Sequence, residues 1–147
     1  MMNLTELMLI LATVVGVVDG ETIRAENNQG EAATVRLACI NIPTQKSLRD
    51  AAQQRLNKLL PKDSPVVIRF VDTYRNEEIV GEVFSDNQSI NLQMVKEGKA
   101  VVDKISVEQN CYESRIQYLV AEANAKQKGL GLWGKSRYVM NGSTKNL

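Results

Sequence analysis

A chain of 147 residues with 44% hydrophobic side chains is long enough for one domain with a real core. Its net charge of +1 supplies no global field for nucleic acid or a membrane surface, and the absence of histidine removes the usual general base and the commonest zinc ligand. Acid–base chemistry, where present, falls to carboxylates, lysine or tyrosine.

The first element is apolar. Leu7 to Val18 is almost free of polar side chains, yet it is too short for a membrane-spanning helix, which needs about 20 residues. The six residues before it carry Glu6 and neither Lys nor Arg, unlike the basic start of a secretory signal. The segment therefore reads as a buried first strand, Ala12 to Val18, behind an apolar lead-in over residues 1–11. The alternative is the remnant of a trimmed signal. Asp19-Gly20-Glu21 is a tight-turn signal, read as Gly20 at positive φ. Thr22 to Glu26 follows as a second strand and Asn27 to Glu31 as a turn. A third strand spans Ala33 to Ile40, with Val35, Leu37 and Cys39 on one face and Arg36 on the other.

Pro43 ends that region and the period changes. Leu48, Ala52, Leu56, Leu59 and Leu60 recur at helical spacing, which predicts an amphipathic helix over Lys46 to Leu60, stopped by Pro61. Its cations, with Lys62, read as a solvated face. Val66 to Val71 and Ile79 to Phe84 form a hairpin around a polar loop. A short helix with Ile90, Leu92, Met94 and Val95 inward ends at Gly98, its C′ residue. After a short strand, Ala100 to Val102, the spacing predicts a last helix over Tyr112 to Lys128 with Ile116, Leu119, Val120 and Ala123 inward. Residues 12–134 thus form one domain, and residues 135–147 a polar tail. The order fits an α+β, mainly β fold: a five-stranded Greek-key barrel with helices. Cys39 and Cys111, 72 positions apart, match no metal or redox motif and read as either one disulfide or two buried thiols.

Four stretches go further. "VVGVVDGETI", "TVRLACINIPT", "EIVGEVFSDNQSINLQMVKEGKAVV" and "AEANAKQKGLGLW" stand in an order and spacing that resembles the staphylococcal nuclease (thermonuclease) family. The resemblance runs from Ala12 to Trp133. It implies an OB-fold barrel with three helices and, for active members, calcium-dependent hydrolysis of DNA and RNA phosphodiesters. It also implies site positions. Glu21 falls where a calcium-ligating aspartate usually sits, Arg36 on the first phosphate-binding arginine, and Ile42 where a backbone carbonyl ligates. The family's Asp-Thr-Pro-Glu is Asn41-Ile42-Pro43-Thr44 here, so a metal carboxylate becomes an amide and the water-activating carboxylate a hydroxyl. The second arginine becomes Glu78, and only a slipped loop brings Arg75 into its place against the fixed strand register. The nucleotide-stacking tyrosines are replaced by Lys104, Ser106 and neighbouring polar residues.

Asp72 to Asp86 holds five carboxylates and one cation, Arg75, a segment that repels phosphate. Glu78 is expected to pair with Arg36 and close the site. These readings together describe a nuclease homologue with a degenerate site, acting as a binding module for single-stranded nucleic acid or a protein. The alternative is an active calcium-dependent nuclease that uses Glu21, Arg36 and Arg75. No segment is expected to span a membrane. A Cys39–Cys111 disulfide, or a trimmed signal, implies an extracytoplasmic location.

Overall fold

The computed structural model describes residues 7–73 and 78–134. Strands β1 (Leu9–Asp19), β2 (Thr22–Glu26), β3 (Ala32–Leu37), β5 (Pro65–Thr73) and β6 (Ile79–Ser85) form a sheet in the order β3-β2-β1-β5-β6. A parallel pairing of β3 with β6, Arg36 opposite Val80, closes it into the expected five-stranded barrel. Three irregularities, between Val14 and Gly16 and between Val17 and Asp19 in β1 and between Phe70 and Asp72 in β5, bend the strands as closure requires. Short β4 (Ile40–Asn41) pairs with β8 (Val101–Val102), and β7 (Gln88–Ser89) turns back on β6 through Asp86 and Asn87, both at positive φ.

Four α-helices pack on the barrel: α1 (Lys46–Leu59), α2 (Ile90–Lys96), α3 (Lys104–Asn110) and α4 (Arg115–Lys128). Three were expected. The addition, α3, has one buried residue, Val107, and is capped by Asp103. It therefore leaves no apolar period in the sequence. The last helix also starts later than expected, after a 3-10 turn at Tyr112–Ser114.

The core joins Val14, Ile23, Val35, Leu37, Ile68 and Val83 of the barrel to Ala52 and Leu56 of α1, Met94 and Val95 of α2, and Tyr118 of α4. Polar residues inside it are satisfied. Asn91 accepts from the Val83 N–H at 3.0 Å and donates to the Ala38 and Gly81 carbonyls at 2.9 and 3.2 Å. Buried Glu82 accepts from Arg69 at 3.1 Å, from Ser89 at 2.8 Å and from Tyr118 at 2.6 Å. That contact, with burial as the larger cause, pushes the Tyr118 phenol far above its ordinary pKa.

Four local expectations change. β1 is half-buried: Ala12 and Val14 face the core, whereas Leu9, Leu11, Val15 and Val18 are exposed. Gly20 is needed for closeness rather than for positive φ, because a Cβ there would stand 2.7 Å from Ala52 Cβ on α1. The third strand breaks at Ala38 and Cys39, with Cys39 at φ 71°. On α4 the buried residues are Tyr118, Ala121, Glu122 and Ala125, and Leu119 packs against the core as expected, while Ile116, Val120 and Ala123 face outward. No helix among the described residues is long and apolar enough to cross a membrane.

Candidate functional site

The hairpin register builds the site. Thr22 of β2 lies opposite Arg36 of β3, so Glu21, one residue earlier in the β1–β2 turn, comes within reach of the guanidinium. Arg36 Nη2 stands 3.8 Å from Glu21 Oε2, both side chains being partly covered. Glu78 immediately precedes Ile79, which pairs with Val35 of β3. Glu21, Arg36 and Glu78 therefore meet at one end of the barrel.

Glu21 carries the electrostatic strain of this cluster. Burial raises its pKa above the ordinary carboxylate range. Arg36 opposes that rise, the charge of Asp19 adds to it, the Ile42 backbone N–H opposes it again, and Glu78 adds to it. Burial wins. Although the Ile42 N–H approaches the carboxylate, Glu21 Oε1 is buried with no hydrogen-bond partner among the described residues. Asp19 is used locally, its Oδ1 accepting from the Glu21 N–H at 2.9 Å.

The turn after β4 forms the other side. Asn41 and Thr44 are exposed and Ile42 and Pro43 partly covered. The turn is held at both ends. Asn41 pairs with Val101, and the Asp103 N–H donates to the Cys39 carbonyl at 2.9 Å. Cys39 is bonded to Cys111, which decides between the two readings of these cysteines. Beyond the turn, Arg49 Nη1 donates to the Thr44 carbonyl at 2.6 Å. Behind it, buried Glu122 accepts from the Val102 N–H at 2.8 Å and from Lys104 Nζ at 2.9 Å, which commits Lys104 to the fold.

The expected partner of Arg36 was Glu78, and the ion pair drawn among the described residues is with Glu21. Glu78 also acts on Glu21, as a nearby negative charge. The β2–β3 pairing was the signal that could have identified Glu21: counting back from the Asn27–Glu31 turn puts Thr22 opposite Arg36. Arg75 lies outside the described residues. The helix α1 cations are mostly solvated or paired, with Lys46 Nζ 2.8 Å from Asp50 and Arg55 held by Glu97 at 2.6 and 2.8 Å.

The calcium implied by the resemblance does not fit this donor set. Affinity for a hard dication follows the number of charged oxygens around it. Here the carboxylate at the family's ligand position, Glu21, is ion-paired to a guanidinium and its pKa is raised by burial, and Asn41 and Thr44 contribute neutral oxygens. Among the described residues no three acidic, histidine or cysteine side chains converge to hold a metal ion.

Comparison with known proteins agrees with the architecture. A family profile described as "Staphylococcal nuclease homologue" matches residues 26–135. A Haemophilus influenzae protein named "Uncharacterized endonuclease" is 31% identical over 129 residues, covering 82% of this chain and 64% of the relative. "Endonuclease YncB" of Bacillus subtilis is 28% identical over 146 residues, covering 90% of this chain and 66% of the relative. The chain thus spans just under two thirds of the length of either relative.

Proposed function

The chain belongs to the staphylococcal nuclease family, and from that premise we propose that it is a binding domain whose phosphodiester site is neutralised and no longer hydrolyses efficiently. The observation that carries this reading is the Arg36–Glu21 ion pair with Glu78 beside it. A guanidinium that must stabilise charge on a phosphoryl group is spent on a carboxylate, and a second carboxylate repels the same phosphate. Losing one preorganised stabiliser of this kind costs about 10²- to 10³-fold in rate. Asn41 and Thr44 remove two more family functions from the same turn, though such losses do not add. Of the two ligand classes expected, the net charge of +1 and the acidic β5–β6 region favour a protein over a tightly held nucleic acid.

A second reading, an active endonuclease, is favoured by the printed names of the two relatives. Cleavage of denatured DNA and of RNA in millimolar calcium separates the two. Background cleavage, unchanged in Arg36→Ala, is the expected outcome. Robust turnover abolished by Arg36→Ala would establish the second reading. The triple variant Asn41→Asp, Thr44→Glu, Glu78→Arg is expected to gain at least about 10²-fold over the parent chain.

A further inference from the structure

A groove of about 600 Å³ runs between α2 and α4, formed by residues other than those of the barrel-end site. Its floor and walls include Leu92, Ile116, Val120 and Leu130. Three of these are open to solvent: Ile116 is 59% exposed, Val120 52% and Leu130 37%. Ile116 and Val120 are one turn apart on α4, so they form a continuous stripe. The fold's own core does not use it, because α4 packs inward through Tyr118, Ala121, Glu122 and Ala125. The helix therefore has two apolar faces and one of them has no partner among the described residues.

Charge identifies the occupant. The charged residues lining the groove are Lys96, at the end of α2, and Lys128, at the end of α4, and no carboxylate lines it. Neither lysine forms an ion pair among the described residues. From Ile116 to Lys128 the α4 wall is about 18 Å long at the helical rise, a length suited to three turns of a partner helix. An apolar floor of this length with cations at its rim is complementary to an amphipathic helix whose apolar side chains are flanked by Asp or Glu.

We propose that the α2–α4 groove docks an acidic amphipathic helix of a partner protein. Such a helix fills the groove with side chains at helical spacing and sets its carboxylates against Lys96 and Lys128. The chain's own residues 135–147 are poorly suited, since they carry Lys135, Arg137 and Lys145 and no acidic side chain. A second copy is poorly suited for the same reason, because it would set lysines against lysines. This proposal does not depend on whether the barrel-end site cleaves phosphodiesters.

The test uses the full chain and two fluorescein-labelled peptides of about 14 residues, each with Leu at i, i+3, i+4 and i+7, one with Glu and one with Lys at the flanking positions. Fluorescence anisotropy is expected to show the Leu/Glu peptide binding at least tenfold more tightly than the Leu/Lys peptide, with affinity falling as salt is raised. Val120→Asp is expected to weaken Leu/Glu binding at least tenfold. The double variant Lys96→Glu, Lys128→Glu is expected to reverse the preference between peptides. All three positions are exposed, and circular dichroism should report an unchanged fold. Equal binding of both peptides, no binding, or binding indifferent to these substitutions would overturn the proposal. So would a tenfold gain on deleting residues 136–147, which would make the tail the occupant. Sedimentation showing dimers lost in Val120→Asp would overturn it in favour of a second copy.

Discussion

Glu21 is where sequence and electrostatics meet most sharply. Its folded pKa is raised, so the folded chain holds this proton to higher pH than the unfolded chain does. The sign follows: the protonated carboxyl's contribution to stability is complete below about pH 4.3, the unfolded value, and is lost as pH rises through the raised folded value. Glu21→Gln removes that loss. The variant is expected to exceed the parent in thermal midpoint at pH 7, with the two converging near pH 4. A variant less stable than the parent at pH 7 would mean that the Arg36 pair outweighs burial. At this scale the sequence singled out the residues that the structure brings together, Arg36 because it matches the family pattern and Glu21 and Glu78 because they depart from it. It did not point to Glu21 as an ion-pair partner of Arg36, because the charge reversal at Glu78 suggested a more obvious one, whereas the Glu21 contact follows from backbone register.

Elements show a different limit. The strands and α1 were legible because each buries one regular face, as Val35 and Leu37 or Leu48, Ala52 and Leu56 do. On α4 two stripes compete, and of the expected aliphatic one Leu119 packs on the core while Ile116 and Val120 face outward. The winning face contains Glu122, which periodicity counts as polar, yet its carboxylate is satisfied by the Val102 N–H and Lys104. Hydrogen-bond satisfaction between elements cannot be read from a single element's pattern. The junction of α2 with the end of α4 depends on closeness as well. Gly98 sits at φ 73° against Leu130 and Gly131, and its carbonyl accepts from the Leu132 N–H at 2.9 Å. A Cβ at Gly98 would overlap the Leu130 carbonyl. Gly98→Ala is expected to cost about 2–5 kcal/mol, combining a strained φ with overpacking, read as a lower urea midpoint. An unchanged midpoint would show that this junction yields without cost.

For the whole molecule, the order of elements was enough to predict the barrel, because closure by β3 and β6 follows from five strands in this sequence of turns. The covalent tie was left open by the sequence, since spacing alone cannot tell a bridge from two thiols. Replacing both Cys39 and Cys111 by Ala is expected to cost about 2–5 kcal/mol, measured by urea unfolding. A loss below 1 kcal/mol would mean that the unfolded chain gains little freedom when the bridge is absent. The bridge also divides the chain mechanically. It joins residues separated by 72 positions, enclosing every element from β4 to α3 in one covalent ring. A molecule pulled from its two ends can pay out only the segments outside that ring. Its unravelled contour should fall short of the reduced chain's by about 240–260 Å, the span of the sequestered residues. Half the molecule is thereby shielded from tension while the rest of the barrel is drawn apart.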